Sequence, residues 1–234
     1  MRIPIVYDAD LLASGEKLSI GLDFDRHPQM LVVGGTGAGK TYYQKLLLGK
    51  ISKYLPSAQI TICDFKNHDF IEFAGLPRHY GYEDCVKGLD DYYNEFTARS
   101  NDGRPRILLF DEWGAFVLSR PDKKAAEEVK SKLSTLLMLG RSSRFHVIIG
   151  LQRADAEHFK SGARDQFGAI LGLGNLSKEQ KQMLFADYRE QITQGCGRGE
   201  GHLLLDGEGL YRVRVPSVTD ADKLKAAIAD AVTR

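Results

Sequence analysis

Cysteine is scarce in this chain of 234 residues, with three in all. Cys63, Cys85 and Cys196 lie far apart and show no C-x-x-C spacing, which excludes a disulfide-stapled scaffold and argues against a zinc site. The six histidines form no ligand-spaced cluster either. No apolar run approaches the roughly 20 residues needed to cross a bilayer, and the N-terminus lacks a signal-peptide core. The expected setting is therefore the reducing cytoplasm, without a membrane segment. The formal net charge is only +1, so bulk charge advertises no polyanionic partner. Contact with nucleic acid would have to come from a local patch or an assembled surface. Internal repeats, low-complexity linkers and coiled-coil heptads are absent as well.

What is present is an ordinary globular composition, 43% hydrophobic and 27% charged. It is long enough for one well-buried α/β domain and too short for two of full size. We expect one domain over residues 1–234, with an extended segment at 1–29, a catalytic core at 30–175 and a C-terminal part at 176–234 holding a helix, a hairpin and a final helix. The organising stretch is MLVVGGTGAGKT, Met30 to Thr41. Its first four residues look like a short buried strand, and the next eight, Gly34, Gly35, Thr36, Gly37, Ala38, Gly39, Lys40 and Thr41, fit G-x-x-x-x-G-K-[ST]. Glycines there let successive N–H groups approach phosphate oxygens, Lys40 supplies a point charge, Thr41 a hydroxyl for Mg2+, and the following helix points its positive end at the anion. The pattern is the phosphate-binding loop of P-loop NTPases, with ATP and Mg2+ as the expected ligands.

The remaining elements follow from periodicity and breakers. Ile3 to Tyr7 and Leu18 to Leu22 look extended around a turn at Ala13 to Glu16, and are expected either against a sheet edge or over the nucleotide base. Leu47, Ile51 and Tyr54 recur at helical spacing up to Pro56. Gln59–Cys63, Arg106–Phe110, Phe145–Leu151 and Gly168–Leu173 are predicted strands, and residues 67–82 an irregular connection. Val86, Leu89, Tyr93 and Phe96 line a helix stopped by Asn101-Asp102-Gly103. A further helix starts near Asp122. Ser177-x-x-Gln180 is a capping box for a helix carrying Met183, Leu184 and Phe185. The tract Gly195 to Gly201 cannot be regular, His202–Leu205 and Leu210–Val215 form a hairpin, and Thr219–Thr233 is a closing amphipathic helix. Connections between predicted strands are mostly long enough for crossover helices, which predicts a largely parallel sheet.

The second half of an NTPase site is a carboxylate at a strand end, and the strand Ile107 to Phe110 delivers Asp111-Glu112. Asp111 is assigned to Mg2+, Glu112 to the water that attacks the γ-phosphorus. An adjacent glutamate favours hydrolysis over transfer to a bound substrate. Gln152 ends the Phe145–Leu151 strand, where it could bond the γ-phosphate, the lytic water or merely a neighbouring loop. Arg153 follows directly, Arg141, Arg144 and Arg164 lie in nearby connections, and one of them could be an arginine finger.

With these pieces in order the chain resembles the motor domain of the FtsK/SpoIIIE/HerA family, especially the small FtsK-like ATPases of mobile elements. The resemblance covers residues 17–215 through LVVGGTGAGKT, ICDFK, ILLFDEW, LGRSSRFHVIIGLQR and GRGEGHLLLDGEG. It implies a RecA-like P-loop NTPase fold of the ASCE type, a mostly parallel central sheet flanked by helices. It further implies a homo-oligomer, a hexameric ring with ATP between subunits and double-stranded DNA in the channel. By the same likeness Gln152 is a sensor, Arg164 an interface arginine acting on the neighbouring subunit's ATP, and Lys66 a further site-proximal charge. Channel-lining cations would be Arg120, Lys123 and Lys124, or Arg141 and Arg144. The chain shows neither a membrane anchor nor a winged-helix module, so a recruiting protein of the element is expected, and Tyr42 and Tyr43 are bulkier than the family pattern. Relatives that drive polypeptide secretion, and a nucleotide-switched scaffold, are the alternatives.

Overall fold

The computed structural model describes residues 1–98, 102–160 and 162–234; Asn101 of the predicted helix stop lies outside them. The chain begins with strand β1 (Ile3–Asp8), helix α1 (Ala9–Ala13) and strand β2 (Ser19–Leu22). Then come β3 (Gln29–Gly34), α2 (Lys40–Tyr54), β4 (Gln59–Asp64), β5 (His79–Gly81), α3 (Cys85–Thr97), β6 (Arg106–Asp111), α4 (Trp113–Leu118) and α5 (Lys123–Leu139). It finishes with β7 (Phe145–Leu151), β8 (Ala169–Leu173), α6 (Lys178–Leu184), β9 (Glu200–Leu205), β10 (Gly209–Arg214) and α7 (Ala221–Thr233).

Among the described residues, ten strands join one sheet in the order β2-β1-β10-β9-β8-β3-β7-β6-β4-β5. From β8 to β5 the pairings are parallel, and from β8 through β9, β10 and β1 to β2 they are antiparallel. Helices cover both faces of the parallel half, so its strands are apolar in their middles and every residue of β3, β6 and β7, polar ends included, is buried. Strand alternation sorts these side chains. Met30, Val32, Ile60, Ile62, Ile107 and Leu109 pack beneath α2 and α7. Leu31, Val33, Leu108, Phe110, Val147 and Ile149 pack on the opposite face with residues of α3, α4 and α5. This is the α/β architecture with a parallel sheet expected from the loop motif and the crossover spacing, and the RecA-like one that the resemblance implies.

Caps set the helix starts where the sequence placed them. The Asp122 side chain accepts from Ala125 N at the start of α5, and both halves of the Ser177–Gln180 box are formed before α6. Tyr43 is buried with its hydroxyl toward Met30 Sδ, and Tyr42 is tied to the segment after β10, its hydroxyl donating to Pro216 O (3.3 Å) and accepting from Val218 N (2.5 Å). The unusual bulk of these residues is thus structural.

Several expectations change. Residues 3–22 take the sheet-edge alternative, because β1 pairs with β10 and β2 with β1; the short α1 between them, capped by the Asp8 carboxylate, was not foreseen. The predicted irregular stretch 67–82 contains β5, which pairs in parallel with β4 over three residues, too few to carry a period. Phe185 lies just past the end of α6 rather than on it. The connection from β7 to β8 crosses over through 3₁₀ turns without an α-helix.

Candidate functional site

Parallel strands direct their carboxyl ends to one side of the sheet, and there the chain leaves β3, β4, β6 and β7 to form a cleft of about 440 Å³. The loop between β3 and α2 supplies its floor. Of the eight motif residues, all but Ala38 line the cleft; the Ala38 side chain packs against the hydrophobic core. Gly39 has φ 99°, and a Cβ there would lie 3.2 Å from Gly199 N, so the left-handed backbone and the close approach both demand glycine. That approach is sealed by a hydrogen bond from Gly199 N to Ala38 O (2.9 Å).

Lys40 opens α2, and its ammonium donates to Asp111 Oδ1 and to Glu112 Oε1, both at 2.9 Å. Lys66 donates to the same glutamate oxygen at 2.7 Å, and Gln152 Nε2 approaches it at 3.3 Å. Gln44, one turn into α2, donates to Asp111 Oδ1 at 2.9 Å. The predicted Lys40, Lys66, Asp111, Glu112 and Gln152 thus converge, and β7 lies between β3 and β6, which sets Gln152 between the loop and the carboxylates. Asp111 is fully buried and its Oδ2 has no protein partner. A buried carboxylate oxygen without a donor is costly, and Thr41 lines the cleft next to Lys40, whose ammonium reaches Asp111. An oxygen-donor pair of this kind fits Mg2+, which keeps most of its water and binds through few protein oxygens beside phosphates.

Electrostatics bind the cluster together. Burial works against the ionised Glu112 carboxylate, but Lys40 and Lys66 more than offset it, so its pKa lies below the ordinary value of 4.5. Burial likewise disfavours the Lys40 ammonium, and Asp111 and Glu112 outweigh it, raising its pKa above 10.5. On neighbouring β4, burial raises the pKa of Asp64, whose Oδ2 accepts from Phe70 N.

The Glu112 backbone is left-handed, φ 58° and ψ 41°, at the elbow between β6 and α4. A non-glycine residue there stores about 1–3 kcal/mol of strain. The edge-to-face ring pair Phe110–Trp113, the tilted pair Phe110–Phe116 and a bond from Trp113 Nε1 to His158 O (2.8 Å) hold the elbow in place.

Other residues fall elsewhere. Arg164 lies just before β8, at the opposite end of the sheet from the cleft, beside a second cavity lined by Phe167, Met183 and Tyr188. Arg153 is exposed and does not line the nucleotide cleft. Arg120 cannot serve as a free channel cation: its side chain is buried, paired with Glu83 and laid over the Phe116 ring. Lys123 and Lys124 are exposed at the start of α5, whereas Arg141 and Arg144 are exposed at the far end of the sheet. The cleft also contains Lys45, Asp69, Tyr42 and Arg198, none foreseen as site residues. The signal for Arg198 was the glycine tract around it, which marks a close approach without saying to what.

A family model described as "ATPase family associated with various cellular activities (AAA)" matches residues 30–172. The chain is 31% identical to the FtsK domain-containing protein YdcQ of Bacillus subtilis, over 78% of this chain and 42% of that protein. Its fold superposes on the pCW3 conjugation coupling protein TcpA, solved with ATPγS, with a TM-score of 0.73 and 18% identity, covering 88% of this chain and 64% of that one. The cytoplasmic domain of the type VII secretion ATPase EccC of Thermomonospora curvata gives a TM-score of 0.70 and 18% identity, covering 94% of this chain and 26% of that one. The chain therefore spans less than two thirds of the length of each. Among the described residues, no helix is long and apolar enough to cross a membrane.

Because the Glu112 pKa is lowered by folding, its contribution to stability is complete above the ordinary value of 4.5 and is lost as pH falls through the lower folded value. Glu112→Gln should lower the melting temperature at neutral pH, by roughly 2–4 °C for each kcal/mol lost. The gap from the parent protein should close as pH falls below 4.5 and through the lower folded value. A gap that stays constant with pH in calorimetry contradicts the ion-pair account.

Proposed function

The chain belongs to the AAA family of ATPases, and from that premise we propose that it is the motor of an FtsK/HerA-type translocase. Its track would be double-stranded DNA, in transfer, segregation or replication of a plasmid, phage or integrative element. The observation that carries the reading is the single cleft in which Lys40 meets Asp111 and Glu112, with Gln152 against Glu112.

The steps assigned to the chain's own residues follow from this geometry. Loop N–H groups and the start of α2 receive the β and γ phosphates, and Lys40 turns from the carboxylates toward them. Glu112, released from Lys40 but still held by Lys66 and Gln152, orients a water and takes its proton as it attacks the γ-phosphorus. Bound Mg2+ would supply charge neutralisation on the phosphates, held by Thr41 and Asp111. Gln152 bridges the water and the γ-phosphate. Arg164 lies too far around the fold to serve this cleft, and is assigned to the next subunit's ATP in a homohexameric ring, where heterologous contacts close on themselves.

The DNA assignment is supported by the likeness to an FtsK-domain protein and to a conjugation coupling protein. A near-neutral subunit is compatible with it, because six copies of Lys123 and Lys124 would concentrate charge around one channel. The comparable likeness to a type VII secretion ATPase keeps polypeptide as the second cargo.

Three measurements test the proposal. Lys40→Ala should abolish productive ATP binding, whereas Glu112→Gln should bind ATP and hydrolyse it about 10²–10⁴-fold more slowly; near-normal turnover in both sinks the role assignment. ATP turnover should rise with added linear duplex, and that stimulation should fall steeply between low and physiological salt, as counterion release requires. Hydrolysis indifferent to DNA turns the reading toward secretion. Finally, subunits carrying Lys40→Ala and Arg164→Ala should partly rescue one another when mixed; a mixed ring without rescue removes Arg164 from the finger role.

A further inference from the structure

We infer that Arg198 forms a separate diphosphate subsite at the nucleoside end of the cleft, its guanidinium donating in cis to the non-bridging α- and β-phosphate oxygens. The inference rests on the ATPase reading above and adds a residue and a ligand group to it.

The cleft has two ends. At one, β7 and β6 deliver Gln152 and Glu112 beside Lys40, which fixes the γ-phosphate side. On the other side of β3 lie β8 and β9, and the chain entering β9 passes over the phosphate loop. Arg198 is carried on that passage, its Cγ 3.7 Å from the point where a Cβ on Gly39 would stand. Loop N–H groups around this position face the α and β phosphates in P-loop chemistry.

The passage is fastened rather than loose. Gly199 N donates to Ala38 O (2.9 Å), Gly174 N to Glu200 O (2.8 Å) and Val215 N to Gly199 O (2.8 Å). Glu200 closes it further, accepting from Gly197 N (3.1 Å) and from Arg214 (2.6 Å). Backbone next to Arg198 is thus tied to the loop, to the end of β8 and to the end of β10, while the arginine side chain projects from between two glycines.

Charge partnering singles out this residue. Of the cations lining the cleft, Lys40 is held by Asp111 and Glu112, Lys66 by Glu112 and Lys45 by Glu72. Among the described residues Arg198 has no carboxylate and no hydrogen-bond partner, and it is exposed to the cleft. A planar guanidinium with no counter-charge, on a side chain that lines the cleft beside the loop, suits two adjacent phosphate oxygens better than a lysine would. Since the α and β phosphates occur in both ADP and ATP, the contact would hold the product as firmly as the substrate.

Calorimetric titration of the intact chain with ADP and with ATPγS tests this, using Arg198→Ala, Arg198→Lys and, as a control on the parent reading, Lys40→Ala. Arg198→Ala should weaken both nucleotides by the same factor, about 10- to 100-fold. Arg198→Lys should recover part of that loss with an unchanged melting temperature. Unchanged affinity in Arg198→Ala overturns the inference, as does a loss confined to ATPγS, which would put the contact on the γ-phosphate. Equal losses in the Ala and Lys variants with lowered melting temperatures also overturn it, since the arginine would then be structural. Normal binding by Lys40→Ala would instead bring down the ATPase assignment of the cleft, whatever Arg198 does.

Discussion

One buried ammonium between two buried carboxylates governs the architecture around the cleft. Lys40 is almost wholly withdrawn from water, as are Asp111 and Glu112. Each ion alone would be prohibitive there, and each is tolerable because the others are within hydrogen-bond distance. The requirement reaches far along the chain: 71 residues separate Lys40 from Asp111, and only a parallel sheet with β7 set between β3 and β6 brings them together without crowding. On the reading proposed above, the same ammonium would serve the β and γ phosphates, so a bound triphosphate would compete with Glu112 for Lys40.

The antiparallel half of the sheet has a different task. Strands β9, β10, β1 and β2 extend the edge beyond β8, and the turn into β9 returns a late part of the chain to the phosphate loop. Gly201 shows how close that return is, since a Cβ there would meet Gly172 O at 2.0 Å. The C-terminal third thus helps to wall the cleft. Tyr42 reinforces the same seam from the helix side, through Pro216 and Val218.

Much of this was legible in the sequence, for definite reasons. The loop motif prescribes backbone, charge and hydroxyl at fixed spacing, and Asp111-Glu112 follows an apolar strand long enough to read, so the centre of the cleft could be assembled from residues alone. The Ser177–Gln180 capping box and the parallel strands were visible because polar caps and apolar runs are local signals. What escaped depends on non-local pairing. β5 is three residues without a period, and α4 is six residues in which aromatic packing on the Glu112 elbow outweighs propensity. Arg120 looked like a free cation because nothing local revealed Glu83 and the Phe116 ring. Arg198 stayed hidden because its distance from Lys40 in sequence conceals a meeting made by strand order.

The Glu112 elbow connects the chemistry to the rest of the fold. A left-handed non-glycine residue persists only where its surroundings overdetermine it, and here the surroundings include Trp113, which reaches across to the carbonyl of His158. The His158 ring in turn lies against Gly114, where a Cβ would come within 2.8 Å of it, so the contact has no slack. His158 belongs to the connection from β7 to β8 that begins at Gln152 and continues to Arg164. Gln152, the elbow support and Arg164 are therefore points on one crossover in which, among the described residues, no α-helix occurs.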